Sequence, residues 1–133
     1  MRQINFRAWD ENGNYMDIVG EMSWCVGGIR VYGPGHHIDN GWVREGGNVI
    51  LMQFTGLCDK SGKRVFEGDV IKGAKGNSGR DTWEVYWNIK ELEFSIRPVD
   101  NFRDRMHYKL NGIVNPEVIG NIYENPALLK EGA

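Results

Sequence analysis

The chain is predicted to be mainly β: a small SH3-like or otherwise partly open barrel, with an added N-terminal β-hairpin and a short C-terminal helical turn. Three observations lead there. Glycine is abundant, 18 of 133 residues, while proline is only 4, a composition that favours many tight turns over disorder. Two stretches, 83–89 and 92–97, alternate apolar with polar residues, the period of a half-buried strand. Between Leu51 and Ile71 two turn signatures, Asp59-Lys60-Ser61-Gly62-Lys63 and Glu67-Gly68-Asp69, bracket a short apolar segment, the spacing of short barrel strands.

At the N-terminus, Ile4, Phe6 and Ala8 alternate with Asn5 and Arg7, and Glu11-Asn12-Gly13-Asn14 supplies a turn before the return strand Tyr15–Val19. Asn-Gly tolerates the positive φ that two-residue hairpin turns demand. The hairpin spans 3–19. Residues 22–33 read as strand material interrupted at Gly27-Gly28 by a turn or bulge. From Gly33-Pro34-Gly35 to Gly47 a long loop is expected, with Trp42 and Val43 as anchors, so 20–48 forms a variable region. Val49–Phe54 is a buried strand and opens the barrel-like part, 49–126, within a single domain spanning 1–133.

Val70–Lys72 begins a further strand and leads into a basic, glycine-rich loop, 73–80. Trp83, Val85, Trp87 and Ile89 then face one way, and Leu92, Phe94 and Ile96 return antiparallel after a turn at Lys90-Glu91. Pro98 ends the strand. A short helix is read at 101–109, a final strand at Val118–Glu124, and a helical turn at Ala127–Lys130 with Asn125 as cap and Pro126 at its first position. Ile4, Phe6, Leu57, Val70, Ile119 and Tyr123 are candidate core residues.

Charge and composition narrow the function classes. A formal charge of −2 gives no global electrostatic case for nucleic-acid binding. Cys25 and Cys58 have no zinc-ligand spacing and read as reduced thiols. The N-terminus lacks a signal-peptide apolar stretch, and no run approaches the roughly 20 apolar residues of a membrane span. Cytoplasmic residence and no membrane partner are therefore expected.

No motif carries catalysis. Gly56–Arg64 misses the phosphate-loop spacing and has Arg64 where a magnesium-holding hydroxyl belongs. His36-His37 with Asp39 sits in a glycine-rich loop without a rigid frame for a metal. Glu67 and Asp69 are spaced to cap turn amides more readily than to act as acid and base. No catalytic residue, cofactor or metal is expected. The remaining candidate surface is basic: Lys72, Lys75 and Arg80 flank glycines beside an aromatic strand, and Tyr86 lies on that strand's outward face. Phosphate contacts and base stacking from such a set suit a single strand.

Three blocks resemble the YopX family of phage and prophage proteins: Ile4–Asp10, Leu51–Ile71, and Glu117–Pro126 with Leu128-Leu129 after it. Cys58 stands where a polar residue is more usual, and Phe54 and Phe66 where tyrosine is frequent. Nothing in 20–48 matches. The resemblance implies a phage- or prophage-encoded β protein acting inside a bacterial cell, and no catalytic residue. The expected function is a non-enzymatic module that binds a macromolecule or assembles with itself as a homo-oligomer. The alternative is nucleic-acid binding through the loop 72–80.

Overall fold

A computed structural model describes residues 5–11, 14–25, 28–32, 43–45 and 49–129. These residues are mainly β, with a 3-10 turn near the C-terminus. The chain divides inside one long strand into two compact units, Gln3–Gln53 and Phe54–Ala133.

In the first unit, β1 (Phe6–Asp10) pairs antiparallel with β2 (Tyr15–Ile18). The expected hairpin forms, although its Asn12-Gly13 turn and Ile4 lie outside the described residues. β3 (Glu21–Cys25), β4 (Gly28–Tyr32) and β5 (Val43–Glu45) make a three-stranded antiparallel sheet. β5 corrects the expectation of an uninterrupted loop: its Val43-Arg44-Glu45 backbone pairs with β4, ladder bonding that the expected anchors Trp42 and Val43 do not announce. The long strand β6 (Val49–Cys58) pairs with β1 through its first residues, with Met52 buried opposite Arg7. Among the described residues of this unit, Ala8, Trp9, Val31 and Met52 are the buried apolar ones.

The second unit takes the rest of β6, then β7 (Arg64–Phe66), β8 (Asp69–Ala74), β9 (Thr82–Asn88), β10 (Glu93–Pro98), β11 (Tyr108–Lys109) and β12 (Val114–Asn121). Five of these form an antiparallel sheet in the order β11-β10-β9-β8-β12, curled into a half-barrel. Its core is Val65, Ile71, Trp83, Val85, Ile96, Leu110 and Ile113. Among the described residues Trp83 is the largest fully buried side chain; its indole Nε1 donates to the Gly73 carbonyl at 2.9 Å and its ring meets Tyr108 edge-on at 5.5 Å. Satisfying that N–H is what lets an indole sit in a dry core.

Both turn aspartates act as architecture. Asp59 Oδ1 accepts from the amides of Ser61 and Lys63, and its Oδ2 accepts from Val118 on β12. Asp69, almost fully buried, accepts from the Phe66 amide at 2.8 Å. Phe54 and Phe66 sit opposite each other with ring centroids 5.7 Å apart.

Several expected boundaries move. Residues 101–109 form turns and β11 rather than a helix, because their few apolar residues lack helical spacing while Tyr108 and Lys109 pair with Ile96 and Ser95. β12 starts at Val114 and tolerates Pro116 at a break in its register. Asn125 is the N-cap of the 3-10 turn Pro126–Leu128, with Pro126 opening it as expected, and its carbonyl accepts from the Leu128 amide; its side chain makes no cap bond, and Oδ1 accepts from the Asn121 amide. Ile119 is surface-exposed, and Phe6, Leu57 and Tyr123 are half-buried, whereas Val70 is fully buried.

Candidate functional site

The basic loop and its neighbours are distributed as follows. Lys72 is exposed on β8, opposite Glu117 of β12. Lys75 donates its Nζ to the Asn111 carbonyl. Arg80 Nε lies 3.0 Å from Asp100 Oδ2, and its guanidinium sits over the Phe102 ring at 4.9 Å. Lys75 and Arg80 are thus each held by groups of their own chain. Tyr86 is half-buried on β9 beneath the Arg97 guanidinium, 4.2 Å from its ring centroid. Thr82 is the cross-strand partner of Lys72, so Tyr86 lies about 13 Å further along β9 at the strand rise per residue. His36, His37 and Asp39 lie outside the described residues; within those, no cluster of His, Cys, Asp or Glu is arranged to hold a metal ion. No described helix is long and apolar enough to cross a membrane.

The feature that stands out is the tip of the β9–β10 hairpin. The alternation predicts Trp87 and Ile89 on the buried face with Trp83 and Val85. Instead Trp87 is 43% exposed and Ile89 77% exposed, because the hairpin outruns the core beneath it. Leu92 does not begin the return strand; it closes the turn, 71% exposed, with φ of +56°. A left-handed backbone costs a leucine roughly 1–2 kcal/mol, and a tight turn normally places glycine or asparagine there. The tip is nonetheless well built. Asn88 Oδ1 accepts from the amides of Lys90 and Glu91 at 3.1 and 3.2 Å, and Trp87 packs edge-to-face on Phe94 at 5.0 Å.

Beside the tip lies a groove of about 370 Å³, with Leu57, Phe94 and Leu110 as its apolar lining and Glu93 and Lys109 as its charges. A bulge in β6 shapes it. Thr55 Oγ1 donates to the Val65 carbonyl and accepts from the Leu57 amide, while Gly56, at φ +93°, leaves open space where a Cβ would stand. Tip and groove carry matching chemistry: two aliphatic side chains and a Lys90-Glu91 dipole on one, an apolar floor with one acid and one base on the other. Period-two alternation misplaces Ile89 and Leu92 because it says nothing about where a strand leaves its core. The available signal is the turn itself, which has Lys90-Glu91 at its centre and no glycine, asparagine or aspartate after it.

The family model described as YopX protein matches residues 5–130. A solved structure, protein EF1440 from Enterococcus faecalis, is similar with a TM-score of 0.58 and 25% identity, over 98% of this chain and 100% of that one. No curated protein matches. With the family model spanning nearly the whole described β framework, this chain belongs to the YopX protein family.

Proposed function

We propose that this chain is a phage-type, non-enzymatic accessory protein of the bacterial cytoplasm that assembles with a second copy of itself through the β9–β10 hairpin. One observation carries the reading: a leucine occupies a strained left-handed turn position while 71% exposed. Its own burial is too small to compensate that strain, and backbone strain is characteristically kept where a contact uses it.

The neighbouring groove supplies the receptor. Seating Ile89 and Leu92 of one copy against Leu57, Phe94 and Leu110 of the other sets Lys90 against Glu93 and Glu91 against Lys109. Because Glu93 and Phe94 of the groove lie on the same hairpin as the tip, a two-fold axis lets both copies insert at once, the self-complementary geometry of closed dimers. Every contact is then made twice, which helps a small surface approach the roughly 800 Å² per partner of stable interfaces.

Sedimentation velocity over a concentration series tests this. The native chain is expected to move from monomer to dimer with rising concentration, and Ile89→Asp, on an exposed side chain, to remain monomeric. A strictly monomeric native chain, or an Ile89→Asp variant that dimerises as the native chain does, refutes the reading.

A further inference from the structure

On the outer side of the same hairpin, one carboxylate organises two arginines. Glu84, with a side chain 3% exposed, accepts from Arg97 Nε at 3.3 Å and Nη2 at 3.1 Å, and from Arg103 Nη2. Arg97 and Arg103 remain 25% and 32% exposed and face a cavity of about 500 Å³. Lys90, Asp104 and His107 also line it. Arg97, Arg103 and Lys90 thus outnumber the carboxylates Glu84 and Asp104 in and behind its wall. Arg103 Nε is buried and has no hydrogen-bond partner among the described residues.

The arrangement is preorganised. The bidentate ion pair fixes the Arg97 plane, and the Tyr86 ring supports that plane from below. Burial holds the Tyr86 phenol above its ordinary value, with Arg97 opposing, so it stays neutral at physiological pH. Trp87 presents an exposed aromatic surface at the cavity wall.

We infer that this cavity binds single-stranded nucleic acid, with Arg97 and Arg103 donating to a backbone phosphate and a base stacking on Trp87. Glu84 alone does not neutralise both guanidinium groups, Lys90 and Asp104 at the cavity wall leave one positive charge in excess, and each guanidinium has more N–H groups than Glu84 takes up. Planar donors beside an exposed ring suit a phosphate attached to a base, the chemistry of single-strand grooves. Tyr86 therefore positions Arg97 instead of stacking a base, and the site lies away from the loop 72–80.

Fluorescence anisotropy of a labelled oligothymidylate at low salt tests the inference, with thymidine monophosphate as competitor. Binding is expected to weaken about tenfold between roughly 50 and 200 mM salt, as for two or three phosphate contacts. Arg103→Gln, which leaves the Glu84–Arg97 pair in place, is expected to weaken it about tenfold, and Arg103→Lys to recover part of that. Lys90→Gln, on an exposed side chain that folding does not need, and measured at a concentration where the native chain is monomeric, gives a second, smaller loss. Lys72→Gln with Lys75→Gln is expected to leave affinity unchanged, and so is the tip variant Leu92→Asn, which separates this site from self-assembly. No binding at low salt overturns the inference. So does native affinity in both Arg103→Gln and Lys90→Gln, or loss of binding confined to the loop variants. A mononucleotide that competes as tightly as the oligomer overturns the assignment to a strand.

Discussion

The substitution Asp59→Asn removes half of a carboxylate that ties a turn to a distant strand. Oδ1 holds the Ser61 and Lys63 amides, each at 2.9 Å, and Oδ2 holds the Val118 amide, also at 2.9 Å. An asparagine side chain keeps one acceptor, and its amide nitrogen then faces an N–H instead of receiving it. Hydrogen bonds to charged groups contribute about 1.5–3 kcal/mol each, so Asp59→Asn is expected to cost about 2 kcal/mol. For a chain of this length that corresponds to a fall of about 7 °C in Tm, read by tryptophan fluorescence since Trp83 is in the same unit. The Val118 amide, followed by the Lys63 and Ser61 amides and the Lys63 charge, holds the Asp59 carboxyl below its ordinary value, against an opposing effect of burial. A lowered folded value means the stabilisation is fully present above the unfolded carboxylate value and fades as pH falls through the folded one. The gap between native and variant is therefore expected to narrow in acid. The nearby exposed pair Lys60–Glu117, at 3.9 Å, is a control: Lys60→Gln is expected to change stability by less than about 0.5 kcal/mol. A variant melting within about 1 °C of the native chain at neutral pH, or a gap that does not vary with pH, refutes the reasoning.

Two further substitutions separate architecture from surface. Gly73→Ala places a Cβ 2.9 Å from the Val114 carbonyl and 3.0 Å from the Ile113 side chain; urea unfolding is expected to show a loss of about 1–3 kcal/mol, because the nearest atom is backbone and cannot swing away. Leu92→Asn relieves the left-handed strain and gives up little burial, so stability is expected to hold or to rise by up to about 1 kcal/mol while self-association is lost.

The β framework is legible wherever alternation coincides with the core. Trp83, Val85 and Ile96 are fully buried as their period implies. The turn chemistry is equally readable: Gly62 and Gly68 take positive φ, and Asp59 and Asp69 bind turn amides. Long-range partners are not. That Asp59 also reaches Val118, or that Lys75 closes on Asn111, depends on how β12 and its preceding turn fold back, which no local pattern encodes. The arginine pair is hidden for the same reason. Arg97 faces Glu84 across a strand register, and Arg103 arrives from a turn whose sequence reads as a weak helix. Val43–Glu45 stays invisible because three residues supply too little alternation to reveal a strand.

Self-assembly through the hairpin is tested most directly by exchanging charges between copies. In a dimer of Lys90→Glu chains, the new carboxylate meets the native Glu93 of the other copy. In a dimer of Glu93→Lys chains, the new ammonium meets the native Lys90. Each variant alone is therefore expected to sediment as a monomer. Mixed in equal amounts they restore an opposite pair at both halves of the two-fold interface, and a mixed dimer is expected to appear. A mixture that stays as monomeric as its components, or single variants that pair as readily as the native chain, contradicts the account.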